Sequence, residues 1–151
     1  MAIVLLNAVL GYVQEGRAEQ AVAALQRMTA ATAGVVRDGR EARIAAVEVV
    51  PGDVLLLAEG EAVSADGRLL EAASLTVAEA SLTGESEPVL KRVAPLAESA
   101  ALGDRVNMVF NGTAITRGAG RAVVTTTGMA TEMGHVAVLL GDRVELSLIH
   151  I

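Results

Sequence analysis

The chain opens on an almost unbroken apolar run, Met-Ala-Ile-Val-Leu-Leu-Asn-Ala-Val-Leu-Gly-Tyr-Val, over residues 1–13. Polar residues enter at Gln14, while Ala18, Ala21, Val22, Leu25 and Met28 continue at helical spacing. The pattern predicts one long helix that leaves an apolar medium and becomes amphipathic. The run is shorter than the roughly 20 residues a membrane-spanning helix needs. It also lacks the basic start and the cleavage site of a signal peptide.

From Gly34 the helical period gives way to short runs broken by turn signals. Val35-Val36-Arg37 and Glu41-Ala42-Arg43-Ile44 flank Asp38-Gly39, a two-residue hairpin signal. Pro51-Gly52-Asp53 makes a turn, and residues 54–58 follow as a buried apolar strand. Asp66-Gly67 reads as a further turn, with short strands over 68–71 and 75–77. Residues 91–102 have no clear period and read as a surface loop. Asn111-Gly112 predicts a hairpin joining residues 106–110 to 113–116, and Gly118-Ala119-Gly120 reads as another hairpin turn. Residues 121–127 close the β region. Many short strands at this spacing point to a mainly β domain of sandwich or jelly-roll type with flanking helices.

A last helix is expected after Thr131, whose hydroxyl suits an N-cap, with Glu132 in the first turn. It places Met133, Val136, Ala137 and Leu140 on one face. Residues 146–151 read either as a native strand or as a segment foreign to the fold. The division that results is 1–33 for the first helix, 34–128 for the β-rich domain, 129–140 for the last helix and 141–151 for the tail.

Composition narrows the function classes. Tyr12 and Phe110 are the only aromatic residues, so a stacking platform for single-stranded nucleic acid cannot be built. The formal charge of −6 disfavours binding to a phosphate backbone, and nucleic acid is set aside as a partner. Absence of cysteine excludes disulfides, thiolate zinc sites and a cysteine nucleophile. His135 and His150 stand apart, with no ligand pattern around either. There is no Gly-Lys-Ser/Thr phosphate loop, and Gly118-Ala119-Gly120 lacks the third glycine of a dinucleotide fingerprint.

What remains is the polar segment Ser81-Leu82-Thr83-Gly84-Glu85-Ser86-Glu87-Pro88-Val89. Gly84 permits unusual backbone dihedrals or a close approach to a ligand, and Pro88 stiffens the exit. Such a loop can hold a water against a reaction centre supplied elsewhere; the same composition also makes an ordinary surface turn. Asp53 and Asp66 read as turn-forming scaffold residues. Lys91 and Arg92 read as a solvated charged pair.

Leu82-Thr83-Gly84-Glu85-Ser86 with Pro88-Val89 resembles the actuator-domain signature of P-type cation-transporting ATPases, of the calcium-type and related light-cation branch. The resemblance runs through Pro51-Gly52-Asp53-Val54, Ala65-Asp66-Gly67-Arg68, Asn107-Met108-Val109-Phe110-Asn111-Gly112-Thr113 and Thr127-Gly128-Met129-Ala130-Thr131-Glu132-Met133-Gly134, in family order. It implies a distorted jelly roll on the cytoplasmic side of a membrane, carried between the end of a transmembrane helix and a linker helix. It implies that Glu85 orients and deprotonates a water attacking an aspartyl phosphate on another domain. Gly84 would let the loop close on the phosphoryl oxygens, and Thr83 and Ser86 would hold it by hydrogen bonds. ATP and Mg2+ are implied for the full pump and no cofactor for this chain, which alone is expected to be inactive. Ser64, Ala78 and His135 depart from residues common in the family. Two other readings are a free-standing β module docked by its apolar first helix and a self-contained hydrolase pairing Glu85 with Asp53 or Asp66.

Overall fold

Two strands of 13 residues carry the sheet: β4 (Asp66–Ala78) and β7 (Ala114–Thr126), paired antiparallel along their length. The computed structural model describes residues 31–148. Around the central pair lie β1 (Thr32–Arg37), β2 (Arg40–Ala45), β3 (Val54–Ala58), β5 (Val89–Leu90) and β6 (Met108–Val109). The sheet runs β2-β1-β3-β7-β4-β5, with β6 also paired to β4, and every pairing is antiparallel. Two helices are described, a single turn α1 (Ala80–Thr83) and the long α2 (Glu132–Leu148). The mainly β expectation holds. The long first helix expected from the pattern lies mostly outside the described residues.

The Asp38-Gly39 signal makes its hairpin: β1 and β2 pair across a turn with positive φ at both central residues. Strand β3 alternates rather than being buried throughout. Leu55 and Leu57 enter the core, while Val54 and Leu56 are half-buried. Slipping this register by one residue would expose both leucines, at about 1.5–3 kcal/mol for each. The core also takes Val35, Leu69, Leu75, Val77 and Val124 from other strands.

The expectations for the two long strands are corrected. The short strands at 68–71 and 75–77 are one strand, and Asp66-Gly67 belongs to it rather than to a turn. Irregular pairing between Leu69 and Glu71 and between Ala73 and Thr76 absorbs the extra residues. Leu69, Leu75 and Val77 therefore all reach the core although the alternation between them is broken. Gly118 sits inside β7 opposite this irregular stretch, and makes no hairpin turn. Its φ is +80°, and a Cβ there would stand 2.4 Å from the carbonyl oxygens of Ala73 and Ser74. Glycine is needed for a bulge.

The Asn111-Gly112 turn forms, with φ +79° at Gly112, yet its flanks do not pair with each other. Gly67 faces Val109 of β6 and Val124 of β7, so β4 lies between the two strands the turn connects. The turn carries the chain past the start of β4, and Gly112 N–H donates to the Val63 carbonyl at 3.0 Å. Helix α2 continues to Leu148, so residues 146–148 are helical and not a strand. Of its expected apolar face, Met133 and Val136 are half-buried, but Ala137 and Leu140 are exposed.

Asp53 shows how one carboxylate fixes a turn. Its Oδ1 and Oδ2 accept from Arg37 Nε and Nη2 at 2.8 and 2.7 Å, and Oδ2 also accepts from Val50 N–H at 3.0 Å. The Arg37 guanidinium holds the Asp53 pKa below the usual carboxylate value, against the opposing effect of burial. A depressed folded pKa means the contribution is complete above about pH 3.9, the unfolded value, and is lost as pH falls through the lower folded value. We expect Asp53→Asn to be less stable than the parent at neutral pH, with the gap closing as pH falls below about 4. Urea midpoints at several pH values measure this; a gap independent of pH would contradict it.

Candidate functional site

The loop of residues 79–91 leaves the end of β4 and returns to it. Val89 and Leu90 of β5 pair with Val77 and Thr76, so both ends of the loop are fixed on one strand. Between them the chain makes the single turn α1 and reverses at Gly84, whose φ of +78° is the left-handed conformation that ends a helix. Apart from its chain neighbours, no atom of the described residues would lie within 4 Å of a Cβ at Gly84. The requirement for glycine there is conformational. Glu85, Ser86 and Glu87 follow, all exposed.

Thr83 organises the backbone of this exposed segment. Its hydroxyl donates to the Glu79 carbonyl oxygen at 3.1 Å and accepts from Glu85 N–H at 3.3 Å. Leu82 and Thr83 N–H groups donate to the same Glu79 carbonyl, each at 2.9 Å. Ser81 Oγ donates to the Gly112 carbonyl at 3.2 Å, which ties α1 to the turn after β6. The hydrogen bonding expected of Thr83 is present. Ser86 makes no such bond among the described residues.

Beneath the loop lies a feature that the sequence reading placed wrongly. Lys91 is not a solvated charge; its side chain is wholly buried and forms an ion pair with Glu79, which is equally buried. The Lys91 ammonium also stands 5.5 Å from the centroid of the fully buried Phe110 ring, within cation–π range. Burial pushes the Glu79 carboxyl up and the Lys91 ammonium down, and each partner's charge opposes the shift. A signal for this pair was available. Glu79 continues the inward phase of Leu75 and Val77, and Lys91 continues that of Val89.

Asp66 is a second residue that was underestimated. Buried at the start of β4, it accepts from Asn111 N–H and from Glu132 N–H, both at 2.8 Å. Thr126 Oγ1 donates to it at 3.4 Å. Thr131 caps α2 as expected: its Oγ1 accepts from Gly134 N–H at 3.1 Å and donates to the Gly128 carbonyl at 2.7 Å. The Asp66 carboxylate adds negative charge at the same helix N-terminus, where it is favourable.

These positions decide between arrangements. The carboxylates of Asp53 and Asp66 are buried and occupied by structural partners, whereas Glu85 is exposed. Both aspartates are thus engaged in the scaffold contacts expected of turn-forming residues. Among the described residues no three or more His, Asp or Glu side chains are grouped to hold a metal ion. The chemistry on offer is that of exposed carboxylates, Glu85 and Glu87, on one loop, with the backbone amide of Glu85 held by Thr83.

Comparison with known proteins agrees with this layout. Residues 27–141 match the family model of the P-type ATPase actuator domain. A calcium-transporting ATPase of Listeria monocytogenes is 46% identical over 138 residues, covering 91% of this chain and 16% of that protein. A calcium-transporting ATPase of Bacillus subtilis is 43% identical over 148 residues, covering 97% of this chain and 17% of that one. A crystal structure of a zinc-transporting PIB-type ATPase superposes with a TM-score of 0.61 at 27% identity, over 86% of this chain and 19% of that one. The chain spans about a sixth of the length of the curated relatives it matches. On its sequence, its antiparallel sheet and the loop that sheet carries, the chain belongs to the P-type ATPase actuator-domain family.

Proposed function

We propose that the chain serves as the actuator domain of an ATP-driven membrane cation pump, and that its Thr83-Gly84-Glu85-Ser86 loop promotes hydrolysis of an aspartyl phosphate held on another domain. The observation that carries the reading is the disposition of Glu85: an exposed carboxylate directly after a left-handed glycine, its own amide held by Thr83. The names of the relatives, calcium-transporting ATPases, support the wider role.

The step asked of this chain is limited. Glu85 orients a water and takes one of its protons as the water oxygen attacks phosphorus. The bond from phosphorus to the aspartyl oxygen breaks, the aspartate leaves as carboxylate, and phosphate departs. Such a transfer depends on in-line placement of the nucleophile. Gly84 would let the loop approach the phosphoryl oxygens, and the Ser86 hydroxyl, exposed in this chain, would hold the loop by a hydrogen bond made once the domains meet. The described residues group no side chains suited to Mg2+. In this reading ATP and its metal belong to the other domains of the pump, and no step of this chain runs through them.

The expected division into 34–128 as working domain, with 1–33 and 129–140 as connections toward membrane-embedded parts on the cytoplasmic side, then shifts at its edges, since β1 begins at Thr32 and the last helix runs to Leu148. Among the described residues no helix is long and apolar enough to cross a membrane. The division of labour is tested with acetyl phosphate, a small acyl phosphate. The 151-residue chain should hydrolyse it no faster than buffer, while the complete pump carrying the chain should hydrolyse ATP in a cation-dependent way. Turnover of acetyl phosphate by the chain alone would contradict the reading.

A further inference from the structure

We propose that the buried Glu79–Lys91 ion pair is a positioning device for Glu85, setting the loop's geometry through the Thr83 hydroxyl. The inference rests on the functional reading of Glu85 given above and adds two residues to it.

The connection can be followed atom by atom. Lys91 holds the Glu79 carboxylate in the core beneath the loop. The carbonyl of the same Glu79 accepts three bonds, from Leu82 N–H, Thr83 N–H and Thr83 Oγ1. Thr83 Oγ1 in turn accepts the N–H of Glu85. Lys91 is itself anchored, since its N–H donates to the Leu75 carbonyl at 2.8 Å. The pair thus joins the first and last residues of the loop and fixes the peptide from which Thr83 and Glu85 hang.

A buried ion pair is a costly way to gain stability, because desolvation offsets most of the attraction. Neither Glu79 carboxylate oxygen nor Lys91 Nζ has a further hydrogen-bond partner among the described residues. Apolar side chains of similar size would fill the space at least as well. What they would not supply is a directional link between the two ends of the loop. Placement of a reacting group is sensitive to such links, since a displacement near 1 Å can cost about 100-fold in rate.

The test uses the complete pump and four variants: Lys91→Met, Glu79→Leu, the double variant, and Glu85→Gln as reference. Phosphoenzyme formation from ATP and phosphoenzyme decay are measured separately. The urea midpoint and amide exchange are measured on the 151-residue chain. The single variants leave one charge buried and unpaired, so loss of folding in them is expected to accompany loss of rate. The double variant is decisive. We expect it to match the parent's urea midpoint and rate of phosphoenzyme formation, yet to decay about 10–100-fold more slowly. Its Glu85 amide should exchange at least about 10-fold faster while that of Val35 is unchanged.

Decay at the parent rate in the double variant, with Glu85→Gln slow, would overturn the positioning role and leave the function of Glu85 standing. Decay at the parent rate in Glu85→Gln would overturn both. Slow decay in the double variant with unaltered exchange at Glu85 would also overturn the proposed route.

Discussion

Replacing Glu85 with glutamine in the complete pump is expected to slow phosphoenzyme hydrolysis by about 10²–10⁴-fold, the usual contribution of a positioned base. In energy this is roughly 3–5 kcal/mol of barrier. Glutamine keeps the size of the side chain and can still orient a water, but it has no carboxylate to take the proton. Formation of the phosphoenzyme from ATP should be unchanged, because that step uses no group of this loop. The fold should also be unchanged: Glu85 is exposed, and its one described bond to the loop is made by its backbone N–H. The phosphoenzyme would accumulate in the variant. A pulse of labelled ATP followed by a chase measures decay directly, and decay at the parent rate would remove Glu85 from the proposed role.

The second large effect is expected at Asp66, and it is one of stability. Asp66→Ala removes the acceptor for two backbone N–H groups, those of Asn111 and Glu132, each bonded at 2.8 Å. Hydrogen bonds to a charged partner contribute about 1.5–3 kcal/mol each, so the loss for the two should be about 3–6 kcal/mol. Asp66→Asn should fall between parent and alanine, because an amide retains one acceptor oxygen and cannot serve both donors. Urea unfolding of the 151-residue chain gives the number from the shift in midpoint at constant slope. A loss below about 1 kcal/mol for alanine would mean that water replaces the carboxylate.

The same two residues show what could be read from the chain alone. Local signals gave the elements they control directly. Asp38-Gly39 turns where both residues take positive φ, Thr131 caps where its hydroxyl meets Gly134 N–H, and Gly84 reverses the chain before Glu85. Each of these depends on neighbours within a few positions. The errors arose where distant segments meet. Asp66 looks like turn material beside Gly67, and only the pairing of β6 and β7 with the start of β4 brings Asn111 and Glu132 to it. Gly118 looks like a hairpin residue, and only the irregular partner strand shows that it serves a bulge.

Lys91 is the instructive case. A charged residue beside Arg92 in an aperiodic stretch is usually solvated, yet Lys91 shares the inward phase of Val89. Pairing with Glu79 across 12 positions reverses the balance. The position of Glu85 on an exposed loop was legible from composition; how firmly the loop is held from below was not.

Contact between this loop and the phosphorylated aspartate is the central claim, and hydrogen exchange in the complete pump tests it most directly. The pump would be compared with and without beryllium fluoride, which binds an acceptor aspartate as a phosphoryl analogue. Amides of residues 83–86, which lie in a short loop whose bonds at Thr83, Gly84 and Glu85 are all local, are expected to become protected by at least about a further 10-fold when the analogue is bound. The β1–β2 hairpin should exchange as before and serves as the internal reference. Unchanged exchange at residues 83–86, with protection arising elsewhere in the pump, would contradict the account.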